Sequence, residues 1–253
     1  GAYVILRLWL LIFSPDAGAV AGYGYDALLW GGMATIVFGA AGMLASEGLG
    51  RMAGYGAIVS SGTLLAVIGY GQASLVTAGL YYLLGSTMAM AAFVLLIELV
   101  ERIRSPGANM LALTMEAFAI EEKPEETAGV GIPGALAFLG LAVAGCALII
   151  AGLPPLSGFV AKFGLFHALL HPDASNILIS STTWALMTLI VLSGLAAIIS
   201  LMRFGVRTFW ASGAIASPRL HLSEVLPISA LLLLCVILTV QAGPVFAYLE
   251  RTS

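Results

Sequence analysis

Lys162 is the residue whose type and surroundings are best suited to chemistry. It is one of two lysines among 253 residues and the only charged side chain between Glu126 and Asp173. An ionisable group at membrane depth costs roughly 3 kcal/mol on insertion scales, so such groups usually line an ion or proton path. A lysine within an otherwise uncharged apolar run therefore predicts a proton carrier.

The sequence just before Lys162 is unsuited to a continuous helix. A short stretch there combines two glycines, two prolines and a serine: Gly152, Pro154, Pro155, Ser157 and Gly158. Proline removes a backbone donor and glycine permits unusual dihedral angles, so we expect the helix to break. Broken backbone is tolerated within a bilayer only where it faces protein or water. The break therefore predicts a small hydrated cavity at mid-membrane, within reach of Lys162 about one turn beyond Gly158.

Proton loading at this site would depend on what stabilises the ammonium. Burial disfavours the charge, whereas water, a carboxylate or a helix end restores it, so small changes nearby can load or release a proton. His167 lies five residues further along and could relay that proton. The alternatives are a lysine extended toward the bilayer surface and a histidine packed in its neutral form.

The composition predicts an all-α polytopic membrane protein, a bundle of transmembrane helices. Hydrophobic residues make up 60% of the chain and charged residues 9%, with a mean hydropathy of +1.06, whereas soluble domains carry about 25% charge. The continuous apolar runs exclude the short alternating strands of a membrane barrel. Seven segments are predicted: 1–13, 26–46, 53–70, 74–98, an interrupted one at 132–171, 180–202 and 224–248.

The positive charges alternate between connections and so predict orientation. They fall in every second loop, which places these loops in the cytoplasm: Arg51; Arg102, Arg104 and Lys123; Arg203, Arg207 and Arg219. An acidic stretch at about 103–130 is expected to be a solvated cytoplasmic loop, with attraction of cations to an entry site as the alternative. The chain starts at Gly1 inside an apolar helical pattern without a basic leader, so we expect the C-terminal part of a larger protein and no signal peptide.

Several classes of site find no support in the sequence. It contains no nucleotide-binding glycine pattern, His/Cys cluster or Ser-His-Asp arrangement, and Cys146 and Cys235 are isolated within apolar spans. We therefore expect no organic cofactor, no metal, no catalytic residue and no nucleic-acid partner, and interpret both cysteines as small buried hydrophobic residues.

At three segments the chain resembles the antiporter-like membrane subunits shared by Mrp-type (Pha) monovalent cation/proton antiporters and respiratory complex I. The matching segments are 1–7, 48–55 and Ala-Gly-Leu-Pro-Pro-Leu-Ser-Gly-Phe-Val-Ala-Lys-Phe at 151–163, the last being the most specific. The stretch from Tyr81 to Thr87 and on to Arg102 looks most like the D subunit of the antiporters. The resemblance covers essentially the whole chain.

This resemblance implies a fourteen-helix protein with two inverted five-helix repeats, each containing a broken helix. Residues 1–253 would form a single transmembrane unit holding the end of helix eight and helices nine to fourteen, with the second repeat. Lys162 would be the ionisable residue of helix twelve, a proton site near the outer side. Arg7 would match the family's Tyr-x-x-x-Arg pattern.

The chain also departs from the family. The first repeat is missing, and Gly50 replaces the first residue of a basic pair, leaving Arg51. Where the larger complex I subunits carry histidines and a lysine, this chain has Tyr82, Ser86 and Met90, which favours the antiporter branch. Proton transfer along that helix would then depend on water and hydroxyl groups from a short list of residues: Tyr81, Tyr82, Ser86 and Thr87. Interhelical hydrogen bonding is the alternative role for these residues.

We therefore expect a proton-translocating component of a multi-subunit Na⁺ or K⁺/proton antiporter in the bacterial inner membrane, part of a transporter rather than an enzyme. Its partners would be other antiporter subunits, the lipid bilayer, protons and monovalent cations. Arg51, Glu98 and Glu101 are candidates for a cytoplasmic proton mouth, with a solvated helix end as the alternative. Two other functions remain open: a proton-pumping component of a redox complex, and a structural component that has lost transport.

Overall fold

A computed structural model describes residues 2–13, 23–103, 134–171, 180–209 and 221–252. These ranges are almost entirely helical and contain no strand. The helices are α1 (Ala2–Ile12), α2 (Tyr25–Ala45), α3 (Leu49–Tyr70), α4 (Ala73–Ile103), α5 (Gly134–Ala151), α6 (Ser157–Leu170), α7 (Ser181–Phe209), α8 (Leu222–Val240) and α9 (Ala242–Thr252). Within the described ranges, six helices are long and apolar enough to cross a membrane. The predicted class, an all-α polytopic membrane protein, is confirmed.

The predicted helix break is present, and a second break was missed. The interrupted segment 132–171 forms α5 and α6, whereas the last segment, 224–248, is not continuous and divides at Gln241 into α8 and α9. Pro244 explains the division, because it has no N–H to donate to the carbonyl of Val240 and is tolerated only in the first turn of the next helix. The acidic loop predicted at about 103–130 lies almost entirely outside the described residues.

Three helices are longer than their apolar segments. The first is α3, which begins at Leu49 rather than at residue 53, so that Arg51, predicted to be a loop residue, lies in its first turn. The predicted segments 74–98 and 180–202 extend to Ile103 in α4 and to Phe209 in α7. Arg203 and Arg207, which we predicted to be loop residues, therefore lie in the last turns of α7. Hydropathy marks where apolar side chains end, but a helix continues into water as long as its backbone hydrogen bonds are maintained.

The long helix α4 lies at the centre of the bundle. It packs against α3, α5, α6, α8 and α9. Its first half contributes to one buried cluster with α3 and α6, through residues such as Leu75 and Tyr81, and its second half contributes to another with α5 and α7, through Phe93 and Leu96. Because α4 contains 31 residues, its midpoint is near Met88, which packs against a third, smaller cluster of Ala89, Ile149 and Cys235.

Arg203 connects α7 to the end of α2 by hydrogen bonds. One Nη atom of Arg203 donates to the carbonyl oxygens of Leu44 and Ser46, at 2.8 and 2.9 Å. These carbonyls belong to the last turn of α2 and the residue after it, where a cation is stabilised by the helix dipole. The neighbouring Arg207 instead forms an exposed 3.8 Å ion pair with Glu47.

Arg203→Leu is expected to lower the stability of the assembled protein more than Arg207→Leu. The first change removes the charged donor from two carbonyls, that of the exposed Leu44 and that of the buried Ser46. A hydrogen bond to a charged group contributes about 1.5–3 kcal/mol, whereas an exposed ion pair contributes about 0–1 kcal/mol. Thermal melting of the detergent-solubilised complex measures both variants. Equal melting temperatures for the two variants would contradict the inference that the hydrogen bonds of Arg203 stabilise the packing of α7 on α2.

Candidate functional site

The break between α5 and α6 begins with an ordered helix end. Gly152 has a left-handed φ of +77°, and its N–H donates to Ile149 O at 3.1 Å. The N–H of Leu153 donates to Leu148 O at 3.0 Å. This pair of bonds is the Schellman arrangement, which ends a helix at a glycine and satisfies two of its last carbonyls. The carbonyl of Ala151, the last residue of α5, remains available to another donor.

The second half of the break packs directly on the first. A methyl group at Gly158 would overlap the carbonyl oxygen of Ile149, so the first turn of α6 lies against the last turn of α5 at a distance that only glycine allows. Pro154 and Pro155, joined by a cis peptide bond, form the exposed part of the connection. Ser157 is fully buried and faces α4, where a methyl group at Gly85 would lie 3.9 Å from its Oγ.

Lys162 supplies the donor for the Ala151 carbonyl. Its side chain is 8% exposed, and its Nζ donates to Ala151 O at 2.7 Å. Within the described residues this is the only hydrogen bond recorded for the ammonium, and no carboxylate pairs with it. Its charge is therefore stabilised by the negative end of the α5 dipole and by a short charge-assisted hydrogen bond.

A small cavity adjoins Lys162 near the middle of α4. Its volume is about 20 Å³, enough for one water molecule. It is lined by residues of α3, α4, α5 and α6: Ser60, Tyr82, Gly85, Ser86, Ala89, Met90, Ile149, Ile150, Gly158, Ala161 and Lys162. The structure thus brings together Lys162, Tyr82 and Ser86, three of the sequence-predicted site residues, at the depth where the break was expected.

Ser60 of α3 is a cavity residue that the sequence analysis missed. It accepts a hydrogen bond from the Tyr82 hydroxyl at 3.3 Å, so the polar lining extends from α4 to a third helix. A signal was present, since Ser60 and Ser61 are polar residues within an apolar span. The pattern could not tell which of them faces the interior; the Ser61 hydroxyl is exposed and bonds to Ala57 O within its own helix.

Other predicted proton-path residues lie away from this cavity. Thr87 is exposed and donates to the carbonyls of its own helix, 2.6 Å from Leu83 O. His167 is also exposed and stacks on His171 with ring centroids 4.5 Å apart. Arg7 of α1 contacts Tyr3, donating to its hydroxyl at 3.1 Å. None of these three predicted residues lines the cavity.

The predicted cytoplasmic residues and Tyr81 also lie outside the cavity. Arg51, Glu98 and Glu101 are exposed, the first near the start of α3 and the other two near the end of α4. Tyr81 is fully buried and donates to Leu238 O at 2.9 Å, which matches the interhelical bonding we gave as its alternative role.

The cysteines and other potential ligands form no site in the described part of the chain. Cys146 and Cys235 are buried and unbridged. The described residues contain no group of three or more His, Cys, Asp or Glu side chains that could hold a metal ion. The groups that the structure brings together at the break are an amine and several hydroxyls, and groups of this kind can exchange protons.

Comparison with known proteins gives consistent matches. No family model matches the chain. It is 49% identical over 257 residues to the D subunit of a probable K⁺/H⁺ antiporter from Rhizobium meliloti (strain 1021), covering 100% of this chain and 48% of that protein. It is 25% identical over 210 residues to the D subunit of the Na⁺/H⁺ antiporter from Bacillus subtilis (strain 168), covering 83% and 36%. The chain thus spans about half the length, or less, of these curated relatives.

A solved structure has the same fold. The Mrp complex from Dietzia sp. DQ12-45-1b contains a chain that matches with a TM-score of 0.67 at 22% identity, over 99% of this chain and 25% of that one. At this identity the likeness concerns the fold alone, and it includes the helices that position Lys162.

Proposed function

We propose that this chain, which belongs to the D-subunit family of monovalent cation/proton antiporters, carries protons through the membrane at Lys162 as part of a multi-subunit Na⁺ or K⁺/proton antiporter. The observation that carries the proposal is the buried Lys162 ammonium. Its Nζ lies 2.7 Å from Ala151 O at the C-terminal end of α5, beside a cavity lined by hydroxyl groups. The complex would lie in the bacterial inner membrane, with the other antiporter subunits as partners.

The proposed proton transfer uses Lys162, water in the cavity and the hydroxyl groups that line it. The neutral amine of Lys162 accepts a proton from a cavity water, while that water takes a replacement proton from the next water or hydroxyl toward the proton-supplying side, so that no hydroxide is left behind. The resulting ammonium donates to Ala151 O. The proton leaves when the ammonium returns it to water. The hydroxyls of Tyr82, Ser86 and Ser60 can each accept one hydrogen bond and donate another, so they can connect this water to the region between α3 and α4.

Residues 1–253 are proposed to be the second half of a longer protein. The match to 48% of the length of the first relative fits a half-length segment. In this assignment α1 is the end of helix eight, and α5 and α6 form the broken helix twelve. The predicted path residues that lie away from the cavity would serve the proton path outside it: Arg7, His167, Thr87, Arg51, Glu98 and Glu101.

The test uses the complete complex in inverted vesicles from a host that lacks other antiporters. After respiration establishes a ΔpH, Na⁺ or K⁺ is added and the collapse of ΔpH is followed. Cation-dependent collapse is expected. Its absence, together with proton pumping coupled to electron transfer, would contradict antiport and favour the redox-pump alternative.

Ser60→Ala is expected to slow exchange severalfold, and Ser61→Ala to leave it near the wild-type rate. The first change removes a hydroxyl that accepts from Tyr82 at the cavity, whereas the second removes an exposed hydroxyl bonded to its own helix. Initial rates of cation-induced ΔpH collapse measure the effect, with Ser60→Thr as the variant that keeps the hydroxyl. Equal rates for Ser60→Ala and Ser61→Ala would remove Ser60 from the path.

A further inference from the structure

Gly194 of α7 lies directly beside the Lys162 site. A methyl carbon built on Gly194 would be 2.5 Å from Ala151 O and 2.9 Å from Lys162 Nζ. Real side-chain carbons essentially never approach so closely, so any other residue at this position requires the ammonium, the carbonyl or the whole of α7 to move. Neither the broken-helix motif nor the apolar pattern of α7 indicates this contact.

Three elements meet at this point. The end of α5 provides the carbonyl, α6 provides the ammonium, and α7 provides bare backbone that closes the space around their hydrogen bond. The neighbouring Ser193 is buried, and its hydroxyl donates to Ile190 O at 2.8 Å. That hydroxyl is therefore hydrogen-bonded within α7. At Gly194 the helix presents only its backbone to the Lys162 site.

We propose that Gly194 is a positioning residue for proton transfer. By having no side chain, it lets α7 hold the Lys162 ammonium against the Ala151 carbonyl, so the proton affinity of the lysine depends on how closely α7 approaches α5. A small displacement of α7 would change the space around the hydrogen bond and thereby load or release the proton. This inference rests on the proposed function of Lys162.

Few other groups can contribute to the titration of this site. Among the described residues, the titratable side chains that line the cavity are Lys162 and Tyr82 of α4. The lining residues from α3 and α5 are Ser60, Ile149 and Ile150, which carry no charge. Gly194 and its neighbour Ser193, both on α7, carry no titratable side chain. A further titratable group near the break is the buried thiol of Cys235 on α8.

The first test compares Gly194→Ala with Gly205→Ala in the complete complex. Gly205 lies on the same helix, and a methyl group there would meet nothing within 4 Å. We expect the pH profile of cation/proton exchange to shift by about one pH unit in Gly194→Ala, since the loss of a hydrogen bond to the charged form changes titration by amounts of that order. Gly205→Ala should retain the wild-type profile. Superimposable profiles for the two variants would overturn the proposal.

The second test does not depend on transport or on recovery of full activity. The thermal stability and assembly yield of Gly194→Ala are measured in the wild-type and Lys162→Ala backgrounds. Without the lysine, the Ala151 carbonyl is no longer held and can turn away from the new methyl group, so the penalty of Gly194→Ala should become smaller. An equal penalty in both backgrounds means that Gly194 serves only helix packing, and the proposal fails. Absence of cation/proton exchange in the wild-type complex would contradict the proposed function. The difference in the Gly194→Ala penalty between the two backgrounds tests the role of Gly194 separately.

Discussion

Lys162→Met and Lys162→Arg are both expected to reduce cation-dependent proton exchange by about a hundredfold or more, the range in which a positioned proton-transfer group contributes. Methionine retains the length of the apolar stem and removes the ionisable group. Arginine keeps a positive charge that can reach the Ala151 carbonyl, but it does not release its proton near neutral pH. The pair therefore separates a fixed charge from a proton carrier.

The measurement is the initial rate of ΔpH collapse in inverted vesicles, normalised to the amount of assembled complex. If Lys162→Arg transports at the wild-type rate while Lys162→Met does not, the lysine is a fixed charge and the carrier lies elsewhere. If both variants transport normally, Lys162 takes no part in transport. That result would favour the alternative in which the chain is a structural component that has lost transport.

Gly158→Ala is expected to lower the melting temperature of the complex by roughly 5 °C or more, since overpacking of a close contact costs about 1–3 kcal/mol and sometimes more. The obstacle is the backbone carbonyl of Ile149, which cannot change rotamer as a side chain can. To accommodate the methyl group, α6 must move away from α5. Lys162 would then lose its position beside Ala151, so exchange should fall as well.

Gly140→Ala is the matched control for this prediction. Gly140 lies in α5, and a methyl group there would meet nothing within 4 Å, so alanine should be neutral or slightly stabilising through its higher helix propensity. Melting of the solubilised complex, followed by the fraction that remains monodisperse on size exclusion, compares the two. Equal melting temperatures would show that the close contact between α5 and α6 is unimportant for stability.

The sequence predicts the break and its lysine because the residues involved have strong local effects. Two prolines and two glycines limit the backbone whatever surrounds them, and a buried lysine is costly in any bilayer. The positions of the spans also follow from local properties, because the free energy of transferring a side chain into lipid depends mainly on the type of that residue. These inferences do not depend on how the helices pack.

The rest of the site depends on packing, which the sequence alone leaves open. Adjacent residues such as Tyr81 and Tyr82 have the same chemistry but face different neighbours, one bonding to Leu238 O and the other to Ser60. The depth of α4 relative to α3 decides that Ser60 reaches the cavity. The role of Gly194 is set by a contact between α7 and α5, elements distant in sequence, and a glycine among many gives no sign of it.

The carbonyl partner of Lys162 has an electrical consequence. A lysine paired with a carboxylate would form a neutral pair when protonated, whereas the Ala151 carbonyl brings no net charge. The protonated site therefore carries a net positive charge, and its proton moves one elementary charge through part of the membrane potential. Because one charge moved across the whole membrane is equivalent to about 2.3 kcal/mol per 100 mV, a site at half depth responds with about half that energy. In the proposed role as a proton carrier near mid-membrane, the occupancy of Lys162 should thus vary several-fold between an energised and a depolarised membrane.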